Sequence, residues 1–123
     1  MNDRFTFRFF NTETKKYMPE QYVDETSVFL LARLGGHKYT FEQCTGLKDK
    51  NGRLIYEGDI VCWTRAQTDG DVDSICPIVF DNDMCSFGPL LNGHSLWMPH
   101  QTDLRMEVLG NIHEKPELLE ECK

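Results

Sequence analysis

Three groups of residues have the types that chemistry needs. Cys85, His94 and His100 offer sulfur and imidazole donors of the kind zinc accepts. Their spacing, Cys-x8-His-x5-His, matches no short zinc motif, and no Cys-x2-Cys knuckle accompanies it. Structural or surface histidines are the expectation, and a metal-dependent enzyme at these three residues is the weaker alternative. Asp69, Asp71 and Asp73 stand at positions 1, 3 and 5 of a calcium loop, but Ser74 and Phe80 fall where that loop needs glycine and glutamate. A solvated acidic loop is expected there. Glu57 and Asp59 flank Gly58 and could form a carboxylate pair, yet in a tight turn such side chains serve better as acceptors for backbone amides. There is no Gly-x-Ser-x-Gly elbow and no Walker lysine. No catalytic residue, cofactor-binding residue or metal ligand is expected, so the chain reads as a non-enzymatic protein without a cofactor.

Charge separates the chain into unlike parts. Residues 1–65 carry ten Lys and Arg against nine Asp and Glu. Between Arg65 and Arg105 there is no Lys or Arg, while Asp69, Asp71, Asp73, Asp81, Asp83 and Asp103 contribute six negative charges. A nucleic-acid binder needs a basic stripe, and this acidic segment would repel phosphate. Direct nucleic-acid binding is therefore not expected. Asp69, Asp71, Asp73, Asp81 and Asp83 are instead the candidate surface for a protein partner. Lys48, Lys50 and Arg53 make a small basic tip that Asp49 dilutes, and the charged Lys48–Asn51 segment is expected to be solvated.

With 123 residues the chain is one domain, long enough to bury about two-thirds of its unfolded surface. The longest apolar run, Val28–Ala32, is far short of the roughly 18–20 residues of a membrane helix. Met1–Phe10 lacks the regions of a signal peptide. The five cysteines (44, 62, 76, 85 and 122) are odd in number and scattered, which suits reduced thiols in a cytoplasmic protein.

The elements that would position these residues read mainly as strands. In Arg4–Asn11, Phe5, Phe7 and Phe9 alternate with Arg4, Thr6 and Arg8, the period of a half-buried strand. Residues 26–43 fit either a short helix ended by Gly35-Gly36 or a hairpin of Val28–Arg33 and Lys38–Gln43, with the alternation of Lys38–Gln43 favouring the hairpin. In Thr45–Val61, Gly46, Gly52 and Gly58 recur every six residues, Asn51-Gly52 is a strong hairpin signal, and Ile60–Arg65 is a strand holding Trp63. Ala66–Asp73 reads as a polar loop, and Ile75–Phe80 as a strand placed at an edge or a bulge by Pro77. Met84–Phe87 reads as the return strand, Gly88–Gly93 as a loop, Leu104–Ile112 as the last strand, and Pro116 as the start of a short helix. Many short strands with frequent turns indicate an all-β barrel or sandwich.

Three blocks resemble the YopX family of small proteins encoded mainly by phages and prophages. They are RFTFRFFNTETKKYM at Arg4–Met18, QCTGLKDKNGRLIYEGDIV at Gln43–Val61, and EVLGNIHEKPELL at Glu107–Leu119. Lys115 stands where the family tends to place Asn before the proline. The resemblance implies a small SH3-type β-barrel at 44–123 with a short C-terminal helix, preceded by an N-terminal β-strand or hairpin segment at 1–43. It supplies no catalytic residues, and its matched positions Gly46, Asn51, Gly52, Gly58, Asp59 and Gly110 read as structural. It also implies a phage or prophage accessory protein, in the cytoplasm of the host cell, whose molecular function is uncharacterised. By analogy with other SH3-type barrels the expected task is binding a protein partner or copies of itself, with the aromatic N-terminal strand and the apolar Val28–Leu34 run as the candidate self-association surfaces. A role in phage replication or gene control, acting indirectly through the acidic surface, is the alternative.

Overall fold

The computed structural model describes residues 7–18, 39–91, 93–96 and 105–121. The Val28–Arg33 half of the expected hairpin, together with Trp97, His100, Asp103 and Cys122, lies outside them. The chain is all-β, and among the described residues the strands form two antiparallel sheets. The first has the order β2-β1-β3-β4, built from β1 (Phe7–Asn11), β2 (Lys16–Tyr17), β3 (Tyr39–Lys48) and β4 (Leu54–Tyr56). The second is a curled half-barrel in the order β8-β7-β6-β5-β9. It is built from β5 (Asp59–Gln67), β6 (Gly70–Asp81), β7 (Ser86–Leu91), β8 (His94–Ser95) and β9 (Met106–Asn111). Strand β3 runs unbroken across residues 43 and 44, pairing with β1 and with β4. Among the described residues no helix is long and apolar enough to cross a membrane.

Ile55 of β4 meets Val61, Ile78, Met106 and Val108 of the second sheet in a core flanked by Leu47, Trp63 and Phe87. Each such aliphatic side chain, removed from water, contributes about 1.5–3 kcal/mol. Val61 and Trp63 of β5, and Met106 and Val108 of β9, stand two residues apart, as side chains that share one face of a sheet must.

Several local expectations are corrected. Asp49 is buried rather than solvated. Its Oδ1 accepts the backbone N–H groups of Asn51 and Arg53, both at 2.9 Å, and its Oδ2 accepts that of Val108, also at 2.9 Å. Burial opposes its charge, but the three donors outweigh that and hold the carboxyl below the usual carboxylate range. Lys50 N–H also donates to the Met106 carbonyl at 2.9 Å, so the 49–53 turn lies along β9 and covers part of its free edge.

Ala66–Asp73 is no loop. β5 and β6 pair continuously to Gln67↔Gly70, forming a two-stranded ribbon whose residues 66–73 are all exposed. Pro77 sits in β6, which is the middle strand rather than an edge. It is tolerated at a hand-over, because the β5 register reaches Ile60↔Pro77 and the β7 register begins at Ile78↔Pro89. Residues 88–91, expected to be loop, belong to β7, where Gly88 lets the Leu96 carbonyl approach the backbone where a side chain would stand.

The expected C-terminal helix is a 3-10 turn at Pro116–Glu121. Six residues are too few to offset the cost of nucleating an α-helix. Leu118 N–H bonds the Lys115 carbonyl three residues back, at 3.1 Å. Lys115 offers no capping oxygen, and the Asn111 side chain is engaged with the N–H groups of His113 and Glu114 instead.

Candidate functional site

The N-terminal strand was expected to turn Arg8 toward water, yet both of its faces are covered. Phe9 is fully buried on one side, edge to face with Phe41 at 4.9 Å. On the other side, Arg8 and Phe10 face the second sheet and anchor a buried polar cluster. Register places Arg8 opposite Glu42 and Phe10 opposite Tyr17, so β1, β2 and β3 deliver three polar side chains to one spot.

Arg8 Nε donates to Glu42 Oε1 at 2.6 Å, and Arg8 Nη2 lies 2.8 Å from Asp59 Oδ1. The second contact is an ion pair without hydrogen-bond alignment, leaving Asp59 Oδ1 unsatisfied as a hydrogen-bond acceptor. The Tyr17 hydroxyl donates to Glu42 Oε1 at 2.9 Å, and His113 Nε2 bonds Glu42 Oε2 at 2.9 Å. The His113 ring stacks on Phe10, 4.0 Å between centroids and nearly parallel. The guanidinium lies between the Tyr17 and Tyr56 rings, 4.9 and 4.8 Å from their centroids.

The signature turn makes this arrangement possible. Gly58 has φ +89°, and a Cβ there would collide with the Glu42 carboxylate. Glycine therefore serves both the left-handed backbone and the close approach of Glu42. Around it, Glu57 N–H bonds the Gln43 carbonyl, Gly58 N–H the Ile78 carbonyl, and Ile112 N–H the Gly58 carbonyl, each at 2.9 Å. Tyr56 N–H donates to Asp59 Oδ2 at 2.8 Å, as expected of a capping aspartate. Glu57-Gly58-Asp59 thus joins both sheets to the turn after β9.

Burial raises the Asp59 carboxyl, with Arg8 only partly opposing it. Burial opposes the Arg8 charge, but Asp59 and Glu42 outweigh it and hold the guanidinium above its ordinary range. Burial, aided by Glu42 and Asp59, also raises the Tyr17 phenol. Chemically the cluster is closed: both Glu42 oxygens are engaged and its side chain is 3% exposed. It works as a polar staple between the sheets. Arg8, Tyr17, Glu42 and His113 were not singled out from sequence. The available signal was faint, an arginine and a glutamate each isolated in an aromatic strand.

The remaining signature residues serve the frame. Gly46 and Gly52 also have positive φ, and Asn51 is exposed on the 49–53 turn. Gly110 borders the β5–β9 irregularity, and a Cβ there would press on the Lys115 side chain.

The five candidate aspartates are not brought together. Asp69, Asp71 and Asp73 are on the exposed ribbon, where Asp71 pairs with Arg105 at 2.5 Å and Asp73 accepts the Thr64 hydroxyl at 2.7 Å. Asp81 and Asp83 lie at the far end of β6, roughly 25–35 Å away by strand rise. They border an open hollow of about 530 Å³ shared with Phe80, Leu90, His94 and Ser95. Of the three candidate zinc donors, Cys85 is exposed in the β6–β7 turn and His94 on β8, and His100 lies outside the described residues. Among the described residues no group of His, Cys, Asp and Glu has a metal-binding arrangement.

Two antiparallel sheets, one curled into a half-barrel and clamped to the other by a buried ion cluster, define a small all-β protein. A family model described as YopX protein matches residues 6–120, and the chain belongs to the YopX family. The crystal structure of protein EF1440 from Enterococcus faecalis is similar, with a TM-score of 0.60 and 24% identity over 92% of this chain and 96% of that one. That likeness shows a shared fold. No curated protein matches the chain.

Proposed function

We propose that this YopX-family chain is a non-enzymatic accessory protein of phage or prophage type, acting in the host cytoplasm by binding a protein partner through its acidic surface. The observation that carries this is a contrast in how polar groups are used. The best-formed polar cluster, Arg8 with Glu42, Asp59, Tyr17 and His113, is turned inward and engaged with itself, whereas the aspartates of residues 69–73 are displayed on a ribbon exposed throughout residues 66–73. Val72, at 39% exposure, adds an apolar contact between Asp71 and Asp73. Phe9 and Phe10 are buried within the chain and are not available to a partner, and the displayed aspartates favour a partner of basic character.

The test is affinity capture from host extract with the native chain and with a variant carrying Asn at residues 69, 71, 73, 81 and 83. A partner retained by the first and lost by the second, with weakening at high salt, is expected. Equal recovery by both would overturn the acidic-surface role. Sedimentation at micromolar concentration is expected to show the 14.3 kDa monomer.

A further inference from the structure

We propose that the outer edge of β6 at Asp71–Ile75 takes up an extended segment of a protein partner as an added antiparallel strand, a site that rests on the protein-binding role above. β6 pairs with β5 over residues 70–77 but with β7 only from Ile78 onward. Among the described residues no strand lies on its other side before that point.

The direction of the edge's backbone groups follows from one hydrogen bond. Thr64 N–H donates to the Arg105 carbonyl at 3.0 Å, so the Thr64 backbone points away from β6. Thr64 stands opposite Asp73, and two opposed residues of an antiparallel pair either bond each other or both point outward. The N–H and C=O of Asp73 therefore point away from β5, and so do those of Asp71 and Ile75, two residues to either side. Pro77 is next in that series and ends it, since it has no N–H to offer. Three donors and three acceptors are thus presented over roughly 14 Å of strand. An added strand of about five residues matches that length, its main chain supplying affinity and its alternate side chains specificity.

The two faces of the ribbon ask for different side chains. Asp71 and Asp73 share one face, where they bond Arg105 and the Thr64 hydroxyl in exposed contacts that each use one carboxylate oxygen. Val72 is on the other face, in register with Arg65, whose guanidinium covers the Trp63 ring at 5.3 Å and donates to Ser74 Oγ at 3.0 Å. A cation already stands on that face. Basic residues of the added strand are therefore favoured beside the aspartates, and an apolar one beside exposed Val72. A second copy of the same edge fits badly, because matching Asp71 with Ile75 sets Asp73 against Asp73. The complement is a segment of alternating basic and apolar residues.

The test is a ¹⁵N-NMR titration of the intact protein with acetyl-Val-Thr-Lys-Val-Lys-amide, written to run antiparallel from Ile75 to Asp71. Saturable shifts are expected at the amides of Asp71, Asp73 and Ile75, and much weaker binding of the reordered acetyl-Lys-Lys-Val-Val-Thr-amide. N-methylation of the first peptide's central lysine, whose N–H would face β6, should weaken binding at least tenfold; N-methylation of its second valine, whose N–H would face away, should not. Asp73→Asn should weaken binding about two- to fivefold, the size of an exposed ion pair. Asp73→Pro, which repeats the placement of Pro77 and keeps the β5 pairing, should abolish it, while Ala66→Pro on the β5 edge should leave it intact. Equal binding of the two peptide orders, or equal effects of the two methylations, would overturn the added strand by showing a diffuse field; the methylated peptides decide alone if Asp73→Pro does not fold. A dimer in sedimentation that Ala66→Pro keeps and Asp73→Pro loses would overturn the choice of occupant in favour of a second copy. A captured partner that persists in Asp73→Pro, with no peptide binding, would overturn the edge while leaving the protein-binding role standing. Saturable peptide binding in a chain that captures no partner would sustain the edge and count against that role.

Discussion

Replacing Arg8 by methionine tests the staple most directly. The substitution keeps most of the aliphatic stem and removes the cation shared by Glu42, whose side chain is 3% exposed, and Asp59, at 1%. Removing one partner of a buried ion pair costs about 3–5 kcal/mol, because the charge left behind has neither water nor a counter-ion. For a chain of 123 residues, an unfolding entropy of about 2.1 cal/mol/K per residue gives roughly 0.26 kcal/mol/K. The melting temperature should therefore fall by about 12–19 °C, read by circular dichroism and repeated as a urea titration. The loss should also depend on pH. Asp59 has a folded pKa above its unfolded value, so its contribution is present at low pH and is lost as pH rises through the folded pKa. Without Arg8 the folded value moves higher still. The gap between native and variant proteins should be widest near neutral pH and narrow toward about pH 4. A loss below about 1 kcal/mol, or one flat across that range, would refute a buried staple and point to a solvated surface pair.

Three further outcomes are expected. Gly58→Ala should destabilise by about 1–3 kcal/mol, since it strains a left-handed residue and pushes a methyl group against the Glu42 carboxylate; urea unfolding measures it. Asp49→Ala should cost about 1–3 kcal/mol by orphaning the buried Val108 N–H. The native Asp49 has a depressed pKa, so its stabilisation is present above the unfolded value and lost as pH falls through the folded one; an acid titration of the variant should lack that component. Under thiol labelling followed by peptide mass spectrometry, exposed Cys85 should react quickly, while Cys44 and Cys76 should react only on unfolding.

The fold was legible in the sequence wherever a pattern is local. Alternation marked β1 and the start of β3, the apolar residues after Gly58 marked β5, and Gly52 and Gly58 marked turns that do adopt positive φ. What escaped notice depends on partners distant in sequence. Pro77 looked like an edge signal because nothing local reveals that one neighbouring strand takes over from the other beside it. Asp49 looked solvated because its third donor, Val108, is 59 residues away. Arg8 looked outward-facing because alternation marks two faces without saying what covers the second. The candidate site was least legible of all. Glu42 reaches His113 across 71 residues, and neither residue type is diagnostic alone.

Those same separations constrain how the chain can fold. Glu42 must wait for His113, Asp49 for Val108, and the Gly58 carbonyl for Ile112. During synthesis, residues 7–91 can pair into hairpins early, yet they keep two buried carboxylates short of donors until residues 106–113 emerge. Contacts of such long range slow the final step, in the manner of other β-topologies that fold in milliseconds to seconds. The last strand acts as a zip fastener. A ribosome stalled before residue 106 should hold a protease-sensitive chain, and release of the next ten residues should bring resistance abruptly rather than by degrees.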